Sequence, residues 1–183
     1  MLEHVLALLI FIGRAGDVLS TLFISPNLVL EANPVARRFK WPTMILGFGL
    51  CALPYFDIQV AIMGAVLSFL VTASNLSKGW MARALGEKEM ERIVLRAAAA
   101  GSLPVTLAMC WTAGAFIVLS AGFLLWLSDG DNEMVSAFAV GLGLYGAALA
   151  IHGTFFFVRM FRRARADAAQ QPAAGDAPQA ARP

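Results

Sequence analysis

The sequence predicts an all-α integral membrane protein, a polytopic bundle of about five transmembrane helices. Hydrophobic residues make up 59% of the 183 residues and charged residues only 14%, whereas soluble domains carry roughly 25% charged residues. Apolar stretches long enough to cross a bilayer recur along the chain. The basic residues fall in clusters that alternate with these stretches, as they do in membrane proteins of fixed orientation.

Five stretches have the length of about 20 mostly apolar residues that a membrane-crossing helix needs. They lie within a helical unit of residues 1–163 and cover residues 2–24, 34–54, 57–77, 102–127 and 135–158. The first is interpreted as a retained helix rather than a cleaved leader, since no Lys or Arg precedes it and no cleavage pattern follows.

Prolines are expected to shape the second and fourth stretches. Pro34 is predicted to begin the second helix, and Pro42 and Pro54 are predicted to bend or end it. Pro104 is expected to mark a kink near the inner membrane surface, where the fourth stretch continues a charged helical extension around residues 86–96.

The basic residues predict the orientation of the bundle. If five spans alternate, 13 of the 14 Lys and Arg residues lie on one side. The other side has no Lys or Arg, and its charged residues are Glu3, Asp57, Asp129, Asp131 and Glu133. Because basic loops stay in the cytoplasm, the N-terminus is predicted outside and the C-terminus inside an inner (plasma) membrane.

The end of the chain has a different composition. Residues 164–183 are rich in Ala, Gln and Pro and contain no large apolar side chain. Such a segment buries too little surface to offset the entropy of ordering. Residues 164–183 are therefore predicted to form a disordered cytoplasmic tail.

The remaining basic residue, Arg14, lies near the middle of the first span, and Asp17 follows one turn later on the same face. A lone charge at this depth costs about 2.5–3.5 kcal/mol on insertion scales, so the two side chains are predicted to pair inside the bundle. Thr21 continues the same stripe toward the cytoplasm. Asn75 in the third span and His152 in the fifth are expected to approach the same depth.

The loop after the first span carries two further polar candidates. Asn33 before Pro34 is typical of a helix N-cap followed by proline at the first helical position. Glu31 precedes this helix start, where the helix dipole favours a carboxylate. The apolar residues 28–30 indicate that the loop turns back onto the bundle and brings Glu31 and Asn33 toward Asp17.

The pattern Asp17-x3-Thr21-x9-Glu31-x-Asn33-Pro34, with Asn75 at the inner end of the third span, resembles a family of small multi-pass membrane proteins. This family of bacteria and archaea is known only as a domain of unknown function. The resemblance covers roughly residues 5–80 and implies a binding site without implying an activity or a cofactor. Two residues outside the pattern are taken as accessory, Arg14 and His152.

Three hypotheses for the function stay open. In the first, a polar pocket open to the cytoplasm binds or translocates a cation, a proton or a polar lipid group. In the second, the protein is a structural or assembly subunit. Its polar residues then only fix helix rotation, start a helix or bridge helices. In the third, an enzyme acts on lipid head groups with a metal held by Asp17 or Glu31.

The sequence favours a non-enzymatic function. It contains no HExxH, GxSxG, P-loop or Cys/His zinc pattern, so no metal site is predicted from a motif. The net charge of +2 is too small to indicate nucleic-acid binding. The expected partners are the lipid bilayer and either a second copy or a membrane-complex subunit, because the small residues Ala139, Gly143 and Ala147 suit close helix packing.

Overall fold

The structure, a computed structural model, describes residues 1–129 and 132–170. These residues form helices and no strand. In chain order they are α1 (Leu2–Ile24), α2 (Pro34–Phe39), α3 (Trp41–Leu46), a 3-10 helix (Gly47–Tyr55), α4 (Ile58–Leu85), α5 (Glu87–Ala100), α6 (Leu103–Leu127) and α7 (Glu133–Gln170). Within the described residues, α1, α4, α6 and α7 are long and apolar enough to cross a membrane. The predicted fold class, an all-α transmembrane helix bundle, is confirmed.

The second apolar stretch, residues 34–54, is a broken helix rather than a continuous one. Pro34 begins α2 as predicted, but Lys40 separates α2 from α3 with a φ of 57°. Pro42 lies in the first turn of α3, where its missing N–H is no loss. Pro54 lies inside the 3-10 helix near its end.

The start of the fourth stretch and the end of the fifth differ from the prediction. Pro104 does not kink a continuous helix, because α5 ends at Ala100 and Pro104 lies in the first turn of α6. Helix α7 continues to Gln170, so residues 164–170 are helical and not part of a disordered tail. They contain Arg and Ala, which are strong helix formers. The rest of the predicted tail, residues 171–183, lies outside the described residues.

Helix α5 is docked on the bundle rather than fully solvated. Its Ala98 packs against Met160, Phe161 and Ala164 on the inner extension of α7. This contact explains why α7 stays helical beyond the predicted end of the fifth span at residue 158.

Helix α4 lies at the centre of the bundle, in contact with α1 on one side and α7 on the other, while α6 packs on α7. Leu6 and Ile10 of α1 pack with Ala61 and Ala65 of α4. A Cβ at Gly13 would come within 2.8 Å of the Ser68 Cβ, so α1 and α4 approach closely. The 3-10 helix lies against both, which places the polar residues of α1 at a junction of several elements.

Candidate functional site

A polar network joins α1 to α4 in the interior. Arg14 Nη1 donates to Asp17 Oδ2 at 2.8 Å, which confirms the predicted pairing. Asn75 Nδ2 donates both to Asp17 Oδ1 at 3.1 Å and to Thr21 Oγ1 at 3.2 Å. Asp17 and Thr21 are buried. The Asp17 carboxylate therefore forms an ion pair with Arg14 and accepts a hydrogen bond from the Asn75 amide.

The Arg14 guanidinium is enclosed between α1 and the 3-10 helix. Its Nη2 lies close to where a Cβ on Gly47 would stand, so a larger residue there would require the guanidinium to shift. Its buried Nε has no hydrogen-bond partner among the described residues. An unsatisfied buried donor costs about 1–3 kcal/mol.

The loop of residues 25–33 turns back onto the bundle as the apolar residues predicted. Leu28 is only 2% exposed and packs with Ala36 and Met44. Asn33 Oδ1 accepts from Val35 N at 2.9 Å and so caps α2, as predicted. Glu31 Oε1 accepts from Asn33 N at 2.7 Å. These contacts fix Glu31 on the inner side of the loop.

Two distant residues hold this loop in place. The Glu87 carboxylate accepts hydrogen bonds from the Ser25 hydroxyl, from Asn27 Nδ2 at 2.9 Å and from Val29 N at 3.0 Å. Arg159 Nη2 of α7 donates to the Val29 carbonyl at 3.1 Å. Sequence reasoning missed both. Glu87 is one of several acidic residues in a charged helix, and nothing in its local pattern distinguishes it.

The residues predicted to form a site line two adjacent cavities. One, the central cavity, has a volume of about 200 Å³. Its polar lining is formed by Arg14, Asp17, Glu31, Asn33, Asn75 and His152, together with Thr43. The other, the loop cavity, has a volume of about 190 Å³ and is lined by Thr21, Ser25 and Lys78 among others. Each has room for about six water molecules at roughly 30 Å³ apiece.

Two residues belong to the lining of both cavities, Glu31 and Asn75. All seven residues singled out from the sequence therefore meet at this pair of cavities, with Thr21 on the loop-cavity side only. Their side chains come from α1, the loop, α4 and α7, so the site exists only in the assembled bundle.

Glu31 differs electrostatically from Asp17. Partial burial raises the pKa of Glu31, the Asn33 N–H opposes this shift, the Asp17 charge adds to it and His152 opposes it. In residues 1–129 and 132–170, Glu31 forms no ion pair. It is thus the acidic group of the site that is available to bind a proton or a cation.

In the part of the chain that the structure describes, no group of three or more His, Cys, Asp or Glu side chains is arranged to hold a metal ion. Asp17, Glu31 and His152 line one cavity without forming such a group. The hypothesis of a metal-dependent lipid enzyme therefore stays a prediction from the sequence.

Comparison with known proteins gives no further guidance, because no family model, no curated protein and no solved structure matches the chain. The resemblance to a domain of unknown function thus stays a prediction. The class of protein is therefore defined by the fold and the site alone. This is an all-α transmembrane bundle with a small polar site among its helices.

Proposed function

We propose that the chain crosses an inner (plasma) membrane five times, with its N-terminus outside and its C-terminus in the cytoplasm. The four long apolar helices need one more crossing for the basic segments to share a side. Trp41–Tyr55 extends about 27 Å, since 3-10 residues rise about 2.0 Å each and α residues about 1.5 Å. This length approaches the hydrocarbon thickness of about 30 Å, so the broken helix supplies the crossing.

Within this topology, the polar site binds a proton or a small cation from the cytoplasm, with Glu31 as the binding group. The observation that carries this function is the position of Glu31 in the walls of both cavities, without an ion-pair partner in the described residues. A carboxylate in the walls of two polar cavities is placed to take up a proton or a cation from either one.

The charges of the central cavity favour a cation over an anion. Arg14 is already committed to Asp17, so the group left uncompensated is the Glu31 carboxylate. Asn33, Thr43 and Asn75, whose side chains carry amide or hydroxyl oxygens, line the same cavity. Hard cations prefer such carboxylate, amide and hydroxyl oxygens, and partial burial of Glu31 favours proton uptake when no cation is present.

The binding step is tested by infrared difference spectroscopy on the purified protein during a pH titration. Wild type should show the carbonyl band of a protonated carboxyl group with a titration midpoint above the ordinary glutamate pKa of 4.5, because burial disfavours the charged form. The Glu31→Gln variant should lack this band. If sodium or potassium ions compete with the proton, they will shift the midpoint downward.

The matched control is Glu89→Gln, which removes a carboxylate that pairs with Arg92 on α5, outside both cavities. It should leave the Glu31 band unchanged. A titration in which Glu31→Gln and wild type give the same spectra contradicts the proposal. Proton and cation flux into liposomes, measured with an internal dye, then decides whether binding is followed by translocation.

A structural or assembly subunit is the second candidate, favoured by the Asn75 amide. This side chain bridges Asp17 and Thr21 and so ties α4 to α1. In that case Glu31→Gln changes neither proton uptake nor ion flux, and the protein co-purifies with a membrane partner or a second copy.

A further inference from the structure

A third cavity, of a different kind, lies on the exposed side of the α1–α4 pair. This groove has a volume of about 470 Å³, within the range of roughly 300–1,000 Å³ that is typical of ligand sites. Its walls are Leu19 and Phe23 of α1 and Leu76 and Trp80 of α4, all of them more than half exposed. It shares no lining residue with the central cavity.

Two glycines give the groove its shape. A Cβ on Gly16 would come within 2.8 Å of Thr72 Cγ2, and a Cβ on Gly79 would come within 3.0 Å of Ile24 Cδ1. The two helices are therefore nearly in contact along the floor of the groove, while the larger side chains on either side form its walls. A Cβ at position 16 would collide with the short Thr72 side chain, whereas one at position 79 would require the end of the Ile24 side chain to shift.

The groove ends at a cation. The Arg83 guanidinium lies over the Phe23 ring, 5.1 Å from its centroid, in the last turn of α4. Within residues 1–129 and 132–170, Arg83 has no carboxylate partner. In the proposed topology this end faces the cytoplasmic surface, where exposed tryptophans such as Trp80 mark the head-group level.

We infer that this groove binds an anionic phospholipid of the cytoplasmic leaflet, with an acyl chain along the apolar walls and the phosphate on Arg83. Arginine recognises phosphate through paired N–H donors. The site goes beyond the proposed function of Glu31 and does not depend on it, although the choice of leaflet rests on the proposed orientation.

The carboxylates near this end favour a lipid over a second copy of the chain. Glu87 is held by the loop, Glu89 pairs with Arg92 and Glu91 pairs with Arg163. Helix α5 of a second copy would therefore offer Arg83 only carboxylates that are already engaged. Lipid phosphates are abundant at this depth and can bind Arg83 without breaking an existing ion pair.

Native mass spectrometry of the detergent-solubilised protein tests the inference with phosphatidylglycerol and phosphatidylcholine as probes. Wild type should retain phosphatidylglycerol in preference to phosphatidylcholine, and Arg83→Gln should lose roughly fivefold in affinity for phosphatidylglycerol, as expected for one basic residue at a membrane surface. Leu19→Trp, which fills the groove without changing the charge, should weaken retention of both lipids.

The matched control is Arg38→Gln. Arg38 is a basic residue that stacks on Phe39 at 5.8 Å and lies outside the groove, so its loss should leave lipid retention at the wild-type level. Equal retention by Arg83→Gln and wild type overturns the inference, as does an equal loss in Arg38→Gln. A dimer cross-linked in the membrane through the Leu76→Cys variant also overturns it, because a second copy then occupies the groove.

Discussion

Two helix pairs of this bundle pack closely at glycines, but only one of them also carries a buried network with charged side chains. In the α1–α4 pair, Asp17 and Thr21 meet Asn75 in a buried polar network. In the α6–α7 pair the backbones themselves touch, since a Cβ on Gly114 would lie 2.7 Å from the Gly146 carbonyl oxygen. Helix α6 contains no charged residue.

The α6–α7 pair shows that close packing in this bundle does not require buried charge. In a lipid environment, small residues that let backbones approach are enough to hold helices together. A mid-membrane ion pair such as Arg14–Asp17 carries a desolvation cost that small residues avoid. The difference supports the proposal that the polar residues of the α1–α4 pair serve the site that they line.

The largest effect is expected from Asp17→Asn, because the Arg14 charge then loses its partner. Breaking one side of a buried ion pair costs about 3–5 kcal/mol in unfolding free energy. Unfolding of the purified protein by denaturant in detergent measures this loss.

The double variant Asp17→Asn/Arg14→Met separates stability from function. Replacing both charges removes the unpaired guanidinium, so most of the unfolding free energy should return. The titration midpoint of Glu31 should nevertheless fall, because the Asp17 charge that raises the pKa of Glu31 is gone. A double variant with the wild-type midpoint would contradict the link between Asp17 and Glu31.

A smaller loss is expected in the other helix pair from Gly146→Ala. The new Cβ would lie 2.8 Å from the Gly114 carbonyl oxygen and 2.9 Å from Ile117 Cβ, and such overpacking costs about 1–3 kcal/mol. Gly122→Ala on α6 is the control, since a Cβ there meets nothing within 4 Å. The same unfolding assay should show no loss for it, and equal losses in the two variants would refute the backbone contact.

The smallest effect is a pH dependence that distinguishes Glu31 from Glu87. Because the pKa of Glu31 is raised, the folded state binds more protons than the unfolded state just above pH 4.5, and stability falls as the pH rises through the raised pKa. Glu31→Gln should therefore be more stable than wild type at neutral pH, and this gain should shrink as the solution becomes acidic.

Glu87→Gln should change stability in the opposite direction. Burial alone would raise the pKa of Glu87, but hydrogen bonds from Ser25, Asn27 and Val29 outweigh it and lower the pKa below its ordinary value. Its contribution to stability is present above pH 4.5 and is lost as the pH falls through the lowered pKa. The variant should be less stable than wild type at neutral pH, by melting temperature, and should match it in acid. The same sign for both variants would contradict the assignment.

The sequence predicted what depends on local spacing. The long apolar helices follow from continuous apolar runs, and the Arg14–Asp17 pair and the Asn33 cap follow from residues within one turn of each other. The break at Lys40 was not predictable, since a left-handed backbone is expected at glycine or asparagine rather than lysine. Glu87 was not predictable either, because its partner Ser25 lies 62 positions away in the chain.

The two anchors of the loop have a mechanical consequence. Glu87 begins α5 and Arg159 lies on α7, yet both hold Val29, two residues before Glu31. The loop is therefore hydrogen-bonded to α5 and α7, whose inner segments pack on each other through Ala98 and Phe161. A shift of α5 along α7 would therefore displace this loop, so the position of Glu31 depends on how these two helices pack on each other.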